Sequence, residues 1–151
     1  MSKSNIIWLG RHEGWLKLIA QGVAKCEPWA IDKAAIIFDM MLPDECVVIP
    51  MPSHDGRAKQ MFNVVMKMCE KKKRRLFFNS LECKPHPSSH EQKRCGMMPS
   101  EIKMRLTISE LPHLPVFVID NVVATGTTAA AALKAVPDAT VVSITYAPLN
   151  G

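Results

Sequence analysis

No apolar run in this chain of 151 residues approaches the ~20 residues that a helix needs to cross a bilayer. The first five residues are polar and lack the apolar stretch of a secretory leader, so a cytoplasmic protein with no membrane partner is expected. Five cysteines (Cys26, Cys46, Cys69, Cys83 and Cys95) form an odd set without a CxxC pair. Reduced thiols suit such a set better than a disulfide framework. Internal repeats and interdomain linkers are also missing. With 48% apolar residues, the chain reads as one domain, 1–151, able to bury a substantial core.

Acidic charge is scarce in the middle of the chain. Residues 53–105 hold 13 Lys/Arg against 5 Asp/Glu, whereas the remainder holds 6 against 9. A concentration of positive charge between two expected strands suits a polyanion, either a diphosphate or nucleic acid. The run Lys71–Arg75 has no interleaved aromatics for base stacking. It reads as the solvated end of a helix, which makes nucleic acid the less favoured partner.

Periodicity predicts helices over 12–25, 30–41 and 57–71, with Pro28 as an interruption. Cys46–Met51 predicts a buried strand, Leu76–Asn79 a short one, and Val116–Asp120 and Thr140–Tyr146 two more. An Ala-rich helix, 129–136, lies between the last two. Strands alternating with helices predict an α/β fold with a mostly parallel sheet flanked by helices. Residues 80–115 show little periodicity beyond a short helix over 100–105, and a segment of that length suggests a binding loop or lid.

Two familiar phosphate motifs are absent: no Gly-Lys-Ser/Thr follows a glycine-rich turn, and no strand opens into three spaced glycines. In their place stands Val116-Phe117-Val118-Ile119-Asp120-Asn121-Val122-Val123-Ala124-Thr125-Gly126-Thr127-Thr128. A short strand ends in an acid, and a Thr/Gly-rich turn opens a helix. Such a turn aims backbone amides at one point before a helix N-terminus, where a phosphate fits. Gly126 permits close approach, and the hydroxyls of Thr125, Thr127 and Thr128 add donors.

This order resembles the signature of type I phosphoribosyltransferases. The resemblance implies that Asp120 and Asn121 hold ribose hydroxyls of phosphoribosyl pyrophosphate, and that Val123, Ala124, Thr125, Gly126, Thr127 and Thr128 cradle its 5-phosphate. Val48–Arg57, with its Pro-x-Pro-Ser wording, is closest to the ComF-like branch. It implies diphosphate contacts from Met51, Pro52, Ser53 and Arg57, and Met51–Pro52 is a place where a cis peptide would cost little. Lys84, Lys93 and Arg94 would act as lid cations in the family's mobile loop over 80–115. Residues 1–45 would form a reduced, helical hood, with Trp8, Trp15 and Trp29 available to stack on a base. Relatives are commonly homodimers.

The implied reaction transfers the 5-phosphoribosyl group between diphosphate and an unidentified nitrogenous base, with Mg²⁺ accompanying the donor. Asn121 stands where the family has a second acid, and with the reduced hood this favours an alternative, a non-catalytic nucleotide-binding or regulatory protein on the same fold. Ala124 stands where purine-salvage members carry an aspartate, which argues against a hypoxanthine-type enzyme. A separate reading of 83–95 is a zinc site, since Cys83, His86, His90 and Cys95 supply four competent ligands. Solvent-exposed thiols and imidazoles are the less demanding reading of the same residues.

Overall fold

The structure is a computed structural model that describes residues 5–53, 59–69, 75–77, 80–83, 102–124 and 126–147. In chain order these form β1 (Ile6–Arg11), α1 (Gly14–Ala24), α2 (Pro28–Met41), β2 (Val47–Pro50), α3 (Gln60–Cys69), β3 (Arg75–Leu76), β4 (Leu81–Cys83), β5 (Met104–Leu106), β6 (Val116–Val123), α4 (Thr127–Ala135) and β7 (Thr140–Tyr146). Five strands make one sheet in the order β1-β7-β6-β2-β3, and each neighbouring pair is parallel. β4 and β5 form a separate antiparallel pair. The architecture is therefore α/β, with a parallel central sheet flanked by helices.

The central strands are short runs of Val and Ile because they are covered on both faces. Every residue of Val47–Pro50 is buried. On one face Val48, Ile119 and Val142 pack with Ile19, Phe38, Val64 and Met68 from α1, α2 and α3. On the other, Val47, Ile49, Val118 and Val141 pack with Ala129 and Ala132 of α4 and with Leu81 of β4. Each fully buried Val or Ile contributes roughly 1.5–3 kcal/mol, so these two layers dominate the fold's stability.

Helices α1 and α2 meet through small residues. A Cβ on Gly22 would lie 2.4 Å from the Ala30 Cβ, which is closer than two carbons can pack. The chain turns between them with Cys26 in the left-handed region at φ 58°. The Glu27 amide donates to the Gly22 carbonyl at 2.9 Å, and the Cys26 amide to the Val23 carbonyl at 3.0 Å. This is the Schellman closure, with a cysteine where glycine is the usual occupant. Pro28 then starts α2 rather than interrupting it, since a first-turn residue needs no amide hydrogen bond.

Several expectations are corrected. The segment 1–45 contributes more than helices, because Ile6–Arg11 is a strand of the main sheet, paired with β7. The helix expected over 100–105 gives way to β5, whose Met104 lies opposite Cys83. Within 80–115, Leu106, Leu111 and Leu114 pack against the second core, while residues 84–101 lie outside the described residues. β6 runs to Val123, three residues past its expected end, and α4 begins two residues earlier than expected. No peptide bond among the described residues is cis, so Met51–Pro52 is trans.

Gly22→Ala should destabilise the protein by about 1–3 kcal/mol, because the Ala30 Cβ cannot rotate away from the added methyl. Urea unfolding measures this. A change within a few tenths of a kcal/mol would mean that the helices do not meet so closely.

Candidate functional site

β6 is held along both edges, by β2 and by β7, and its carboxyl end opens into the turn before α4. Asp120 lies three residues before that end, one past the last β2 pair at Ile119, near where open parallel sheets present their ligand crevices. A crevice of about 180 Å³ is lined by Asp120, Val122, Val123, Ala124, Gly126, Thr128 and Ala129. Gly126 caps α4 in the left-handed region at φ 80°. A Cβ there would meet nothing within 4 Å, so the glycine is required by the backbone angle and not by crowding. The first helical bond runs from the Ala130 amide to the Gly126 carbonyl at 2.8 Å. Amides earlier in that turn have no acceptor inside the helix, and the first turn carries no acid to satisfy its positive end.

The charge balance of Asp120 is unusual. Burial pushes its carboxyl up to about 7, although one side of the residue stays open to the crevice. The Asn121 amide, donating to Oδ1 at 2.8 Å, pulls the other way and is the weaker influence. At neutral pH this acid is poised between its two protonation states.

The structure gathers Asp120, Val123, Ala124, Gly126 and Thr128 around one crevice, with Thr127 beside them as the first residue of α4. Val122 and Ala129 were not singled out in the sequence and complete its wall. Asn121 is a correction. Neighbouring residues of a strand face opposite ways, and the Asn121 side chain donates to the Ala20 carbonyl of α1 at 3.1 Å. It ties the strand end to the helix layer instead of standing beside Asp120 over a sugar.

Met51 continues β2 next to this strand end, its amide donating to the Ile119 carbonyl at 2.9 Å. Met51 and Pro52 are buried and Ser53 is half-buried. The Ser53 carbonyl accepts the Cys83 thiol at 3.3 Å, which fastens this loop to β4. Thr125, Arg57, Lys84, Lys93 and Arg94 lie outside the described residues, as do His86, His90 and Cys95 of the zinc reading. Among the described residues no three His, Cys, Asp or Glu side chains cluster as metal ligands.

A polar seam that sequence reasoning missed runs behind Asn121. The Thr145 hydroxyl donates to the Asn121 carbonyl at 3.2 Å, and His12 Nδ1 lies 2.9 Å from the same hydroxyl. Burial, then the charge of Lys17, lowers the His12 pKa. His12 follows β1 directly, so the strand that went unrecognised is also what delivers this residue. A larger hollow of about 300 Å³ lies between α2 and α3, lined by Pro28, Ile31, Asp32, Asn63, Met66 and Lys67. Its charged groups pair with each other, Lys67 with Asp32 at 3.6 Å, and it is built from helix sides, not from strand ends. The smaller crevice is the better candidate site.

No family model matches the chain, and no curated protein matches it significantly. No helix among the described residues is long and apolar enough to cross a membrane.

The raised carboxyl sets a pH signature. An unfolded aspartate ionises near ~3.9. Between there and about 7, the folded chain keeps a proton that the unfolded chain has lost, so stability falls as pH rises. This penalty is absent below both values and complete above both. Asp120→Asn should therefore change stability little at pH ~4 and raise it by at least about 1 kcal/mol at pH ~8. Equal effects in urea unfolding at the two pH values would show that Asp120 ionises normally.

Proposed function

We propose that the crevice at the end of β6 binds a 5-phosphorylated ribose, and that the protein is a type I phosphoribosyltransferase-like protein acting on phosphoribosyl pyrophosphate. The observation that carries this reading is the meeting of Asp120 with the left-handed Gly126 turn and the start of α4 around one small crevice. A carboxylate accepts hydrogen bonds from a sugar diol, and helix-start amides donate to a phosphate. Thr128 lines the same crevice and supplies a hydroxyl donor. Met51, Pro52 and Ser53 follow β2, one strand away, and in this reading would meet a diphosphate extending from the anomeric carbon.

In the proposed reaction the bond from the anomeric carbon to diphosphate breaks, and a bond to a ring nitrogen of the base forms. The base gives up the proton on that nitrogen. The transition state has oxocarbenium character. What the chain contributes is positioning and charge: Asp120 fixes the ring by its hydroxyls, and the α4 amides fix its other end. Arg57, with Lys84, Lys93 or Arg94, would neutralise the departing diphosphate.

Asp120 fits Mg²⁺ as one carboxylate among substrate oxygens and waters. Burial disfavours its charged form, and a cation would offset that cost. When bound, Mg²⁺ supplies charge neutralisation for the diphosphate and the sugar hydroxyls.

A second reading is favoured by one observation. Because Asn121 is committed to Ala20, Asp120 is left without a flanking side chain over the sugar. A protein that binds phosphoribosyl compounds without turning them over would need no more.

Diphosphate release from phosphoribosyl pyrophosphate with Mg²⁺, screened over a panel of nitrogenous bases, tests both. Turnover is expected with at least one base, and Asp120→Ala should lower it by roughly 10–100-fold, the loss of a charged hydrogen-bond partner. Binding without release for any base would select the second reading. Failure to bind either phosphoribosyl pyrophosphate or ribose 5-phosphate would sink both.

A further inference from the structure

We infer that His12, Thr145 and Asn121 form a latch that fixes the Asp120 carboxylate, so that Oδ2 is the oxygen offered to a ligand. The consequence for ligand binding rests on the sugar-phosphate reading above; the latch itself does not. One hydroxyl sets the arrangement. Thr145 is fully buried, and its Oγ1 lies 3.2 Å from the Asn121 carbonyl and 2.9 Å from His12 Nδ1. A carbonyl can only accept, so the single hydroxyl proton goes to Asn121. Nδ1 must then carry a proton and donate to the hydroxyl, since two lone pairs would otherwise face each other. The imidazole is thereby held in one tautomer, and the His12 backbone amide is tied to the Tyr146 carbonyl at 2.9 Å.

Asn121 is consequently gripped twice, at its carbonyl by Thr145 and at its side chain by the Ala20 carbonyl, 3.1 Å away. Thr145 is itself held in the β6–β7 ladder opposite Val122, a wall residue of the crevice. What these contacts fix is the remaining polar group of Asn121, the amide that donates to Asp120 Oδ1 at 2.8 Å. With Oδ1 engaged, Oδ2 has no protein partner among the described residues. No buried side-chain oxygen among them lacks a partner, so Oδ2 opens onto the crevice that Asp120 lines. An aspartate at position 121 could not donate to the Ala20 carbonyl. Asn121→Asp would recreate two adjacent acids, yet it would set oxygen against oxygen and open the latch. His12, Thr145 and Asn121 are positioning residues, because none of them lines the crevice.

Nitrogen-15 NMR at pH ~8, where an ordinary histidine is neutral, should place the His12 proton on Nδ1. Exchange of the Asn121 amide should be slow, faster in Thr145→Val, and unchanged in Thr145→Ser, which keeps the hydroxyl. A proton on Nε2, or an Asn121 amide indifferent to Thr145→Val, overturns the latch whether or not a ligand binds. Calorimetry with ribose 5-phosphate then reads the consequence. Thr145→Val and Asn121→Asp should each weaken binding by roughly three- to ten-fold, the loss of about one hydrogen bond, and Thr145→Ser should retain it. In an Asp120→Ala background Thr145→Val should cost nothing more, because the two substitutions remove one shared interaction. Additive losses there would show that Thr145 does not act through Asp120 and would overturn the inference. No ribose 5-phosphate binding by the unsubstituted protein overturns the sugar-phosphate reading, and the NMR outcomes then decide the latch alone.

Discussion

A carboxyl group largely withdrawn from water near the end of a parallel strand is costly, and the arrangement around Asp120 depends on that cost being borne. The residue can be kept there only because β6 cannot move away. Its neighbours β2 and β7 hold it along both edges, and apolar layers cover both faces of the sheet. Burial then disfavours the ionised form, and the Asn121 amide only partly restores it. Stability supplied by Val and Ile elsewhere thus maintains an acid that the fold alone would not favour. Such local expense, offset by the surrounding core, is common where a site must be ready before its ligand arrives.

The two faces of the sheet divide the work. The α1, α2 and α3 face is closed by close helix contact, as the Gly22–Ala30 approach illustrates. The Asn121 side chain reaches back to this layer, donating to the Ala20 carbonyl, and His12, between β1 and α1, meets the Thr145 hydroxyl nearby. The α4 face carries the crevice, and α4 itself is built largely of alanine, which lets the helix lie close to the sheet. Asp120 and Asn121, adjacent in sequence, therefore belong to opposite faces: one meets the crevice, the other anchors the strand.

Much of this was legible from residue order. β7 matched its expected limits, and β2 did so within a residue, because uninterrupted Val/Ile runs bounded by turn residues have few alternatives. The strand–acid–turn–helix unit was legible for the same reason, since Gly126 marks a left-handed position that few residues tolerate. β1 was not recognised. Ile6-Ile7-Trp8-Leu9-Gly10 is a short apolar run without alternation, and such a run fits a strand or a helix lead-in equally. Residues 100–105 were assigned the wrong period because β5 is only three residues long and is defined by its partner β4. The direction of Asn121 was hidden for a different reason: the motif names neighbours, while the pleat separates them.

The outer strand of the sheet has one further implication. β1 ends the sheet, so one side of its backbone ladder has no neighbouring strand among the described residues. Ile7 and Leu9 are 44% and 46% exposed along it. Natural sheet borders are usually blunted by charged side chains, proline or a bulge, yet within Ile6–Arg11 only the last residue, Arg11, is charged and none is proline. An apolar border of this kind, with Trp8 also 42% exposed on it, carries little of what usually keeps one strand edge from pairing with another.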